Sequence, residues 1–102
     1  MIEKLLLGKL KKHCTENNVS FLSFSVDFLE KKVIVKMGAN EATETPLENS
    51  TYKVVLGLLK TKLGVSDIDF LTGEYSKESN EITLDAYFKR GGQKQTVQVT
   101  IK

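Results

Sequence analysis

The only histidine and the only cysteine of this 102-residue chain, His13 and Cys14, are neighbours in sequence. Such residues could act as a base and a nucleophile, or could bind a transition metal together with further ligands. Consecutive residues of a helix point about 100° apart, so the two side chains cannot act on one atom if this segment is helical. We therefore expect a histidine at the border of the core and a half-buried thiol, with no catalytic and no metal-binding role.

Pairs of carboxylates are the other side chains that could do acid–base chemistry. Asp67 and Asp69, and also Glu78 and Glu81, fall in predicted turns or strand ends, where acidic side chains commonly face water. The sequence contains no phosphate-binding glycine loop, no Gly-x-Ser-x-Gly elbow and no His-Glu-x-x-His pair. It therefore predicts a protein that is not an enzyme and that uses no cofactor, metal or small-molecule substrate.

Two glycines stand out because they occur in similar stretches 49 residues apart: residues 4–11 read KLLLGKLK and residues 53–60 read KVVLGLLK. On a helical wheel, Gly8 and Gly57 lie opposite the apolar arcs, among lysines. An exposed glycine within a helix costs about 1 kcal/mol relative to alanine, so its double occurrence indicates that a partner approaches the backbone there. The expected partner-binding face consists of Lys4, Gly8, Lys11, Lys12, Lys53, Gly57 and Lys60.

These glycines and lysines also have alternative interpretations. The likeness of the stretches can be chance, or a duplication can have preserved a tolerable defect, in which case the lysines are merely solvated. The lysines can also bind nucleic acid, together with a basic hairpin tip formed by Lys89, Arg90 and Lys94. A net charge of only +2 and the lack of an RNA-binding aromatic motif argue against nucleic acid. The leading expectation is a small interaction module that binds a protein or a second copy of itself through a helix face or a sheet edge.

The periodicity of apolar residues predicts the elements that position these groups. A helical pattern covers residues 2–16, with Leu5, Leu6 and Leu10 on the apolar side and Leu7 and Cys14 on its flank. Alternation predicts strands over 20–29 and 33–37. Thr45 followed by Pro46 has the pattern of a helix start, and Gly64 provides the end of that second helix after Leu63. Three further strands are expected around residues 68–75, 82–89 and 97–102, the first with a bulge at Gly73 and the others joined through Gly91-Gly92.

This order, α-β-β-α-β-β-β, predicts an α+β two-layer sandwich. A five-stranded, mainly antiparallel sheet would be covered by both helices on one face, with one helix on each face as the alternative. The similar helices are followed by similar strand starts at residues 19–24 and 65–70, so an αββ internal pseudo-repeat is part of the prediction.

The size and composition of the chain agree with a single domain over residues 1–102, which would bury roughly two thirds of its unfolded surface. A single cysteine cannot form an intrachain disulfide, and a free thiol is typical of a reducing compartment. No apolar run approaches the roughly 20 residues that a membrane-spanning helix needs, and we recognise no signal peptide. We therefore expect a cytoplasmic protein without membrane contact.

Overall fold

Two helices and six strands make up the part of the chain that the structure, a computed structural model, describes: residues 2–47, 52–65 and 67–102. In chain order the elements are α1 (Ile2–Glu16), β1 (Phe21–Asp27), β2 (Lys32–Met37), β3 (Thr43–Pro46), α2 (Tyr52–Leu63), β4 (Phe70–Ser76), β5 (Glu81–Arg90) and β6 (Gln93–Ile101). The α+β class is confirmed, with one strand more than the sequence pattern predicts.

The six strands form one sheet in the order β3-β2-β1-β4-β5-β6, and all neighbours are antiparallel. Alternate residues of each strand point to the same side, so Leu22 opposes Tyr75 in the central β1–β4 pair and Tyr75 opposes Ile82 in the next. All three side chains are fully buried. One face of the sheet is therefore the wall of the core, and the other face is open.

Both helices cover the same face of the sheet. Leu6 and Leu10 of α1 and Val55 and Leu59 of α2 are buried in one cluster with the inward residues of the strands, and the helices also contact each other. The arrangement with both helices on one side is thus the observed one. Each helix is followed within two residues by a left-handed residue, Asn18 (φ 56°) after α1 and Gly64 (φ 64°) after α2.

These helix ends share one hydrogen-bonding pattern. The N–H of Val19 donates to the carbonyl of Cys14, and the N–H of Val65 donates to the carbonyl of Lys60. A bond spanning five residues after a left-handed residue is the Schellman arrangement, which satisfies carbonyls that the helix leaves free. The predicted end of the second helix at Gly64 is confirmed.

The predicted start of the second helix is wrong. Thr45 pairs with Val33 in the ladder between β2 and β3, and Pro46 lies at the border of the sheet opposite Lys32. Proline is tolerated on an edge strand where its missing N–H would have faced solvent, and threonine favours extended backbone. The helix begins at Tyr52, and the intervening residues 48–51 lie outside the described residues.

The predicted bulge at Gly73 is also wrong. The pairing of β4 runs without interruption from Phe70 to Ser76 against both β1 and β5. Gly73 is required for another reason: a Cβ atom there would collide with the ring of Phe24 and lie 2.7 Å from Cδ2 of Leu84. The large ring on β1 therefore occupies the space that a side chain on β4 would need.

Corresponding features of the two halves of the chain lie at a constant distance from each other in sequence. β1 begins at Phe21 and β4 begins at Phe70, 49 residues later. In the hairpins that follow, left-handed residues occur at Lys31 (φ 55°) and Asn80 (φ 53°), again 49 apart. The third strands differ, since β3 has four residues and β6 has nine. The αββ pseudo-repeat itself stays a prediction.

Candidate partner-binding surface

The outer side of the helix layer is basic. Of the lysines predicted to bind a partner, Lys4, Lys11, Lys12 and Lys53 are exposed and Lys60 is half-buried. Together, α1 and α2 carry seven lysines and two glutamates: Lys4, Lys9, Lys11, Lys12, Lys53, Lys60, Lys62, Glu3 and Glu16. An exposed ion pair of 3.8 Å joins Lys12 to Glu16 and neutralises part of this charge.

Gly8 and Gly57 are exposed on that basic side. A Cβ atom added at either position would find no heavy atom within 4 Å beyond the adjoining residues and the local helix backbone. Packing within the described chain therefore gives no reason for glycine at these positions. The structure places the two glycines where the helical wheel predicts them, and the role assigned to them stays a prediction.

Two exposed apolar residues accompany the glycines. Leu5 is 65% exposed and Val54 is 39% exposed, and each follows a lysine and precedes a glycine by three residues, which is nearly one helical turn. We call the two sets the helix stripes: Lys4, Leu5, Gly8 and Lys11 on α1, and Lys53, Val54, Gly57 and Lys60 on α2.

The helical periodicity places Leu5 on the buried side and misses its exposure. Leu7 and Cys14, predicted on the flank, are buried instead. The buried side of α1 is therefore rotated relative to the predicted one. The 49-residue offset aligns Leu5 with Val54 in the second stretch, but the sequence contains no signal that either residue is exposed.

The predicted basic hairpin lies next to the end of α2. Lys89 and Lys94 oppose each other in the β5–β6 ladder beside the Gly91-Gly92 turn. The guanidinium of Arg90 donates a hydrogen bond of 3.1 Å to the carbonyl of Leu63 and lies 5.8 Å from the ring centre of Phe88. Arg90 therefore connects the hairpin to the helix terminus, where Lys60 and Lys62 occupy the last turn.

The only thiol is enclosed by the core. Cys14 is fully buried, and the loss of hydration raises the pKa of its thiol above the ordinary value of 9.0, partly opposed by the charge of Lys77. Burial likewise raises the pKa of Tyr75, and nearby Cys14 adds to that shift. The Tyr75 hydroxyl donates to Oδ1 of Asn80 at 2.7 Å. A thiol held protonated in this way is a poor nucleophile.

Two of the acidic residues considered above contact other parts of the chain. Glu81 lies 3.9 Å from the ammonium of Lys102, and the backbone of Asp69 bonds to both Phe28 and Tyr87. Glu78 and Asp67 are exposed. Within residues 2–47, 52–65 and 67–102, no three histidine, cysteine or acidic side chains are grouped so that they could hold a metal ion.

The open face of the sheet contains a broad depression of about 520 Å³. Hydroxyl and carboxylate side chains line much of it, among them Ser23, Ser25, Thr72, Glu74, Thr83 and Asp85. The carboxylate of Asp85 accepts a hydrogen bond of 3.4 Å from the amide of Gln98. The depression offers polar contacts and, among these lining residues, no histidine or cysteine for nucleophilic chemistry.

Comparisons of the chain with protein-family models, with curated proteins and with solved structures give no significant match. Among the described helices, none has the length and apolar character needed to span a membrane.

Proposed function

We propose that this protein is a non-catalytic interaction module that binds an acidic protein partner through the helix stripes. The observation that carries the proposal is the exposure of Leu5 and Val54 at equivalent positions on two helices that contact each other. An exposed apolar side chain with charged neighbours has the arrangement of an apolar interface centre surrounded by a polar rim. Lysines around it favour a partner surface rich in carboxylates, which increases the association rate and orients the complex.

The glycines support a close approach of that partner. Gly8 and Gly57 leave the helix backbone bare beside each anchor, where larger side chains would hold a partner away. Each glycine lowers the free energy of unfolding by about 1 kcal/mol relative to alanine. A role in a complex accounts for the presence of this destabilisation at both positions.

We further propose that the stripes occur twice because an αββ unit was duplicated. The offset of 49 residues relates the exposed pair Leu5 and Val54, the strand starts Phe21 and Phe70, and the hairpins. A duplicated unit would present two equivalent anchors on one surface. The partner is then expected to contact both helices at once.

The test begins with capture of partners from a nuclease-treated extract of the source cells, followed by identification and purification of the captured protein. Gly8→Glu and Gly57→Glu introduce a negative charge and a bulky side chain into the stripes. Each substitution is expected to weaken the purified complex by about tenfold or more, which corresponds to about 1.4 kcal/mol. Circular dichroism should show an unchanged fold, because neither position is packed against the chain.

Two matched variants separate charge from shape. Thr100→Glu adds the same charge at an exposed site on the open face of the sheet, opposite the neutral Thr83, and should leave affinity unchanged. Gly8→Ala adds a methyl group without charge and should weaken binding while raising the melting temperature. The proposal fails if the double variant Gly8→Glu and Gly57→Glu binds the purified partner as tightly as the original protein.

Nucleic acid is the second candidate partner, because the structure brings the basic hairpin next to the last turn of α2. Lys60, Lys62 and Lys94 then lie in one region with Arg90. Binding through phosphates would weaken steeply with salt, with a log–log slope of about −0.9 per neutralised phosphate for duplex DNA. A fluorescence titration of labelled DNA at several salt concentrations tests this candidate, and a flat response excludes it.

We also propose the cytoplasm as the site of action. The single cysteine is a free, buried thiol, which is compatible with a compartment that keeps thiols reduced. Fluorescence microscopy of the tagged full chain in its source cells tests this location.

A further inference from the structure

β6 is an edge strand of nine residues, Gln93–Ile101, and its whole length pairs with β5 on one side. Its other side has no neighbouring strand in the described sheet. A strand in this position exposes a row of backbone donors and acceptors, which can bind another strand.

The ladder shows which backbone groups point outward. The carbonyl of Tyr87 accepts a hydrogen bond from the N–H of Asp69, so the backbone groups of Tyr87 point toward β4. Successive residues of a strand point to opposite sides, so those of Phe88 point toward β6 and meet Gln95. The outward residues of β6 are therefore Lys94, Thr96, Gln98 and Thr100, with four N–H and four carbonyl groups.

The opposite edge of the sheet is protected. Leu47 donates its N–H to the carbonyl of Lys31, so odd-numbered residues of this segment face β2 and Glu44 and Pro46 face outward. Proline has no N–H, and β3 has only four residues. β6 contains no proline, and residues 95–101 carry no charge. The two edges of one sheet thus differ sharply in their capacity to accept a strand.

We propose that β6 pairs with β6 of a second copy of this chain, antiparallel, about a two-fold axis that passes through Val97. In this register Lys94 opposes Thr100 of the second copy, and Thr96 opposes Gln98 of the second copy. All outward donors and acceptors of both strands are then used, in about eight hydrogen bonds. A shift of the axis to Gln98 would oppose Lys94 with Lys102 of the second copy, and like charges directly opposite each other are unfavourable. A shift to Thr96 would oppose Thr100 with Gly92, which lies in the turn before β6, so fewer outward groups would be paired.

Side chains on the core face favour the same pairing. Val97 and Val99 are half-buried and pack at the border of the core, so a second copy would cover them further. The axis places the two Val97 residues opposite each other, in a pair without mutual hydrogen bonds, where side chains approach most closely. An isologous contact of this kind makes the same surface complementary to itself.

Sedimentation of the full chain over a concentration series up to about 1 mM tests the proposal, since it detects association with a dissociation constant of about that size or smaller. The expected result is a monomer–dimer equilibrium. Gln98→Pro removes one outward N–H without removing a backbone bond to β5, although it loses the side-chain bond to Asp85, as Gln98→Thr also does. It should weaken the dimer at least about tenfold. Gln98→Thr keeps the N–H and should preserve the dimer. A monomer at every concentration, or a dimer unchanged by proline, overturns the proposal.

Disulfide trapping gives a second measurement that does not depend on tolerance of proline. Under mild oxidation Val97→Cys should form a covalent dimer, because the two Cα atoms would be about 4.5 Å apart across the axis. Val99→Cys is the matched control, since its copies would lie about four residues apart along the strands, roughly 13 Å. Native Cys14 is buried and does not compete. Equal trapping of both variants, or none of Val97→Cys, overturns the register.

Discussion

At the scale of single residues, Gly73 and Gly8 lie in opposite packing environments. Gly73 lies in the middle of the sheet, where the ring of Phe24 fills the space of a side chain. Phe24 is 4% exposed, so the ring has little freedom to move away. Gly8 has open space around it. The same residue type is thus demanded by packing in one place and left unexplained by packing in the other.

Gly73→Ala is expected to lower the free energy of unfolding by about 1–3 kcal/mol, because overpacking forces core side chains away from their preferred rotamers. Gly8→Ala is the control with the opposite expected effect and should raise the free energy of unfolding by about 1 kcal/mol. Urea denaturation followed by circular dichroism measures both. If Gly73→Ala leaves the free energy of unfolding unchanged, the Phe24 ring moves aside without an energetic cost.

At the scale of elements, the β1–β2 and β4–β5 hairpins use the same turn. Oδ1 of Asp27 accepts hydrogen bonds from the N–H groups of Leu29 and Glu30, and Oγ of Ser76 accepts one from Ser79. Each turn then has a left-handed residue before the second strand. This residue is asparagine in one hairpin and lysine in the other, although asparagine tolerates the conformation better.

Lys31→Asn is therefore expected to raise the free energy of unfolding by about 0.5–1 kcal/mol, since it relieves part of the left-handed strain. Lys32→Asn, at the neighbouring strand position, controls for the loss of a lysine and should bring no such gain. Thermal unfolding of the two variants distinguishes the outcomes. Equal stability of Lys31→Asn and the original protein would contradict the argument from backbone conformation.

The contact between β5 and α2 makes a separate prediction. Arg90→Ala removes the charged donor from the carbonyl of Leu63 and the cation from the ring of Phe88, and it should lower the free energy of unfolding by about 1 kcal/mol. Lys89→Ala, on the same hairpin, has no such contact among those described and should be nearly neutral. Chemical denaturation compares the two, and equal effects would remove the structural role of Arg90.

The sequence predicts regular elements well and the sheet edge poorly. Alternation of apolar residues locates β1, β2, β5 and β6, helical spacing locates α1, and Gly64 marks the end of α2. It fails at β3, because four exposed residues have no apolar alternation and Thr45-Pro46 imitates a helix start. On the candidate surface, the helical wheel correctly predicts that Gly8 and Lys4 are exposed. It does not predict the exposure of Leu5, because that exposure depends on how the sheet orients the helix.

At the scale of the whole molecule, burial of Cys14 and Tyr75 links stability to alkaline pH. Both groups have a pKa raised by burial, so the folded protein keeps protons that the unfolded chain releases. The stabilisation is complete below the ordinary thiol pKa of 9.0 and is lost as pH rises through the higher value of the folded state. The hydroxyl adds the same effect above its ordinary pKa of 10.0.

Denaturation in urea between neutral and strongly alkaline pH measures this dependence. Cys14→Ala should start from a lower stability, because it leaves a cavity, but its stability should fall less between neutral pH and the region above 9.0. The informative quantity is the difference in slope between the two proteins. Identical slopes would mean that the thiol ionises as easily in the folded state as in the unfolded chain.

The outward position of Pro46 on β3 also limits how far such molecules can associate end to end. In the proposed dimer the borders that remain on either side are both β3, where Pro46 supplies no donor and only Glu44 offers an outward N–H to a further strand. Growth through the backbone then stops at a closed pair instead of polymerising into fibres. Electron microscopy of concentrated samples should accordingly show discrete particles and no filaments.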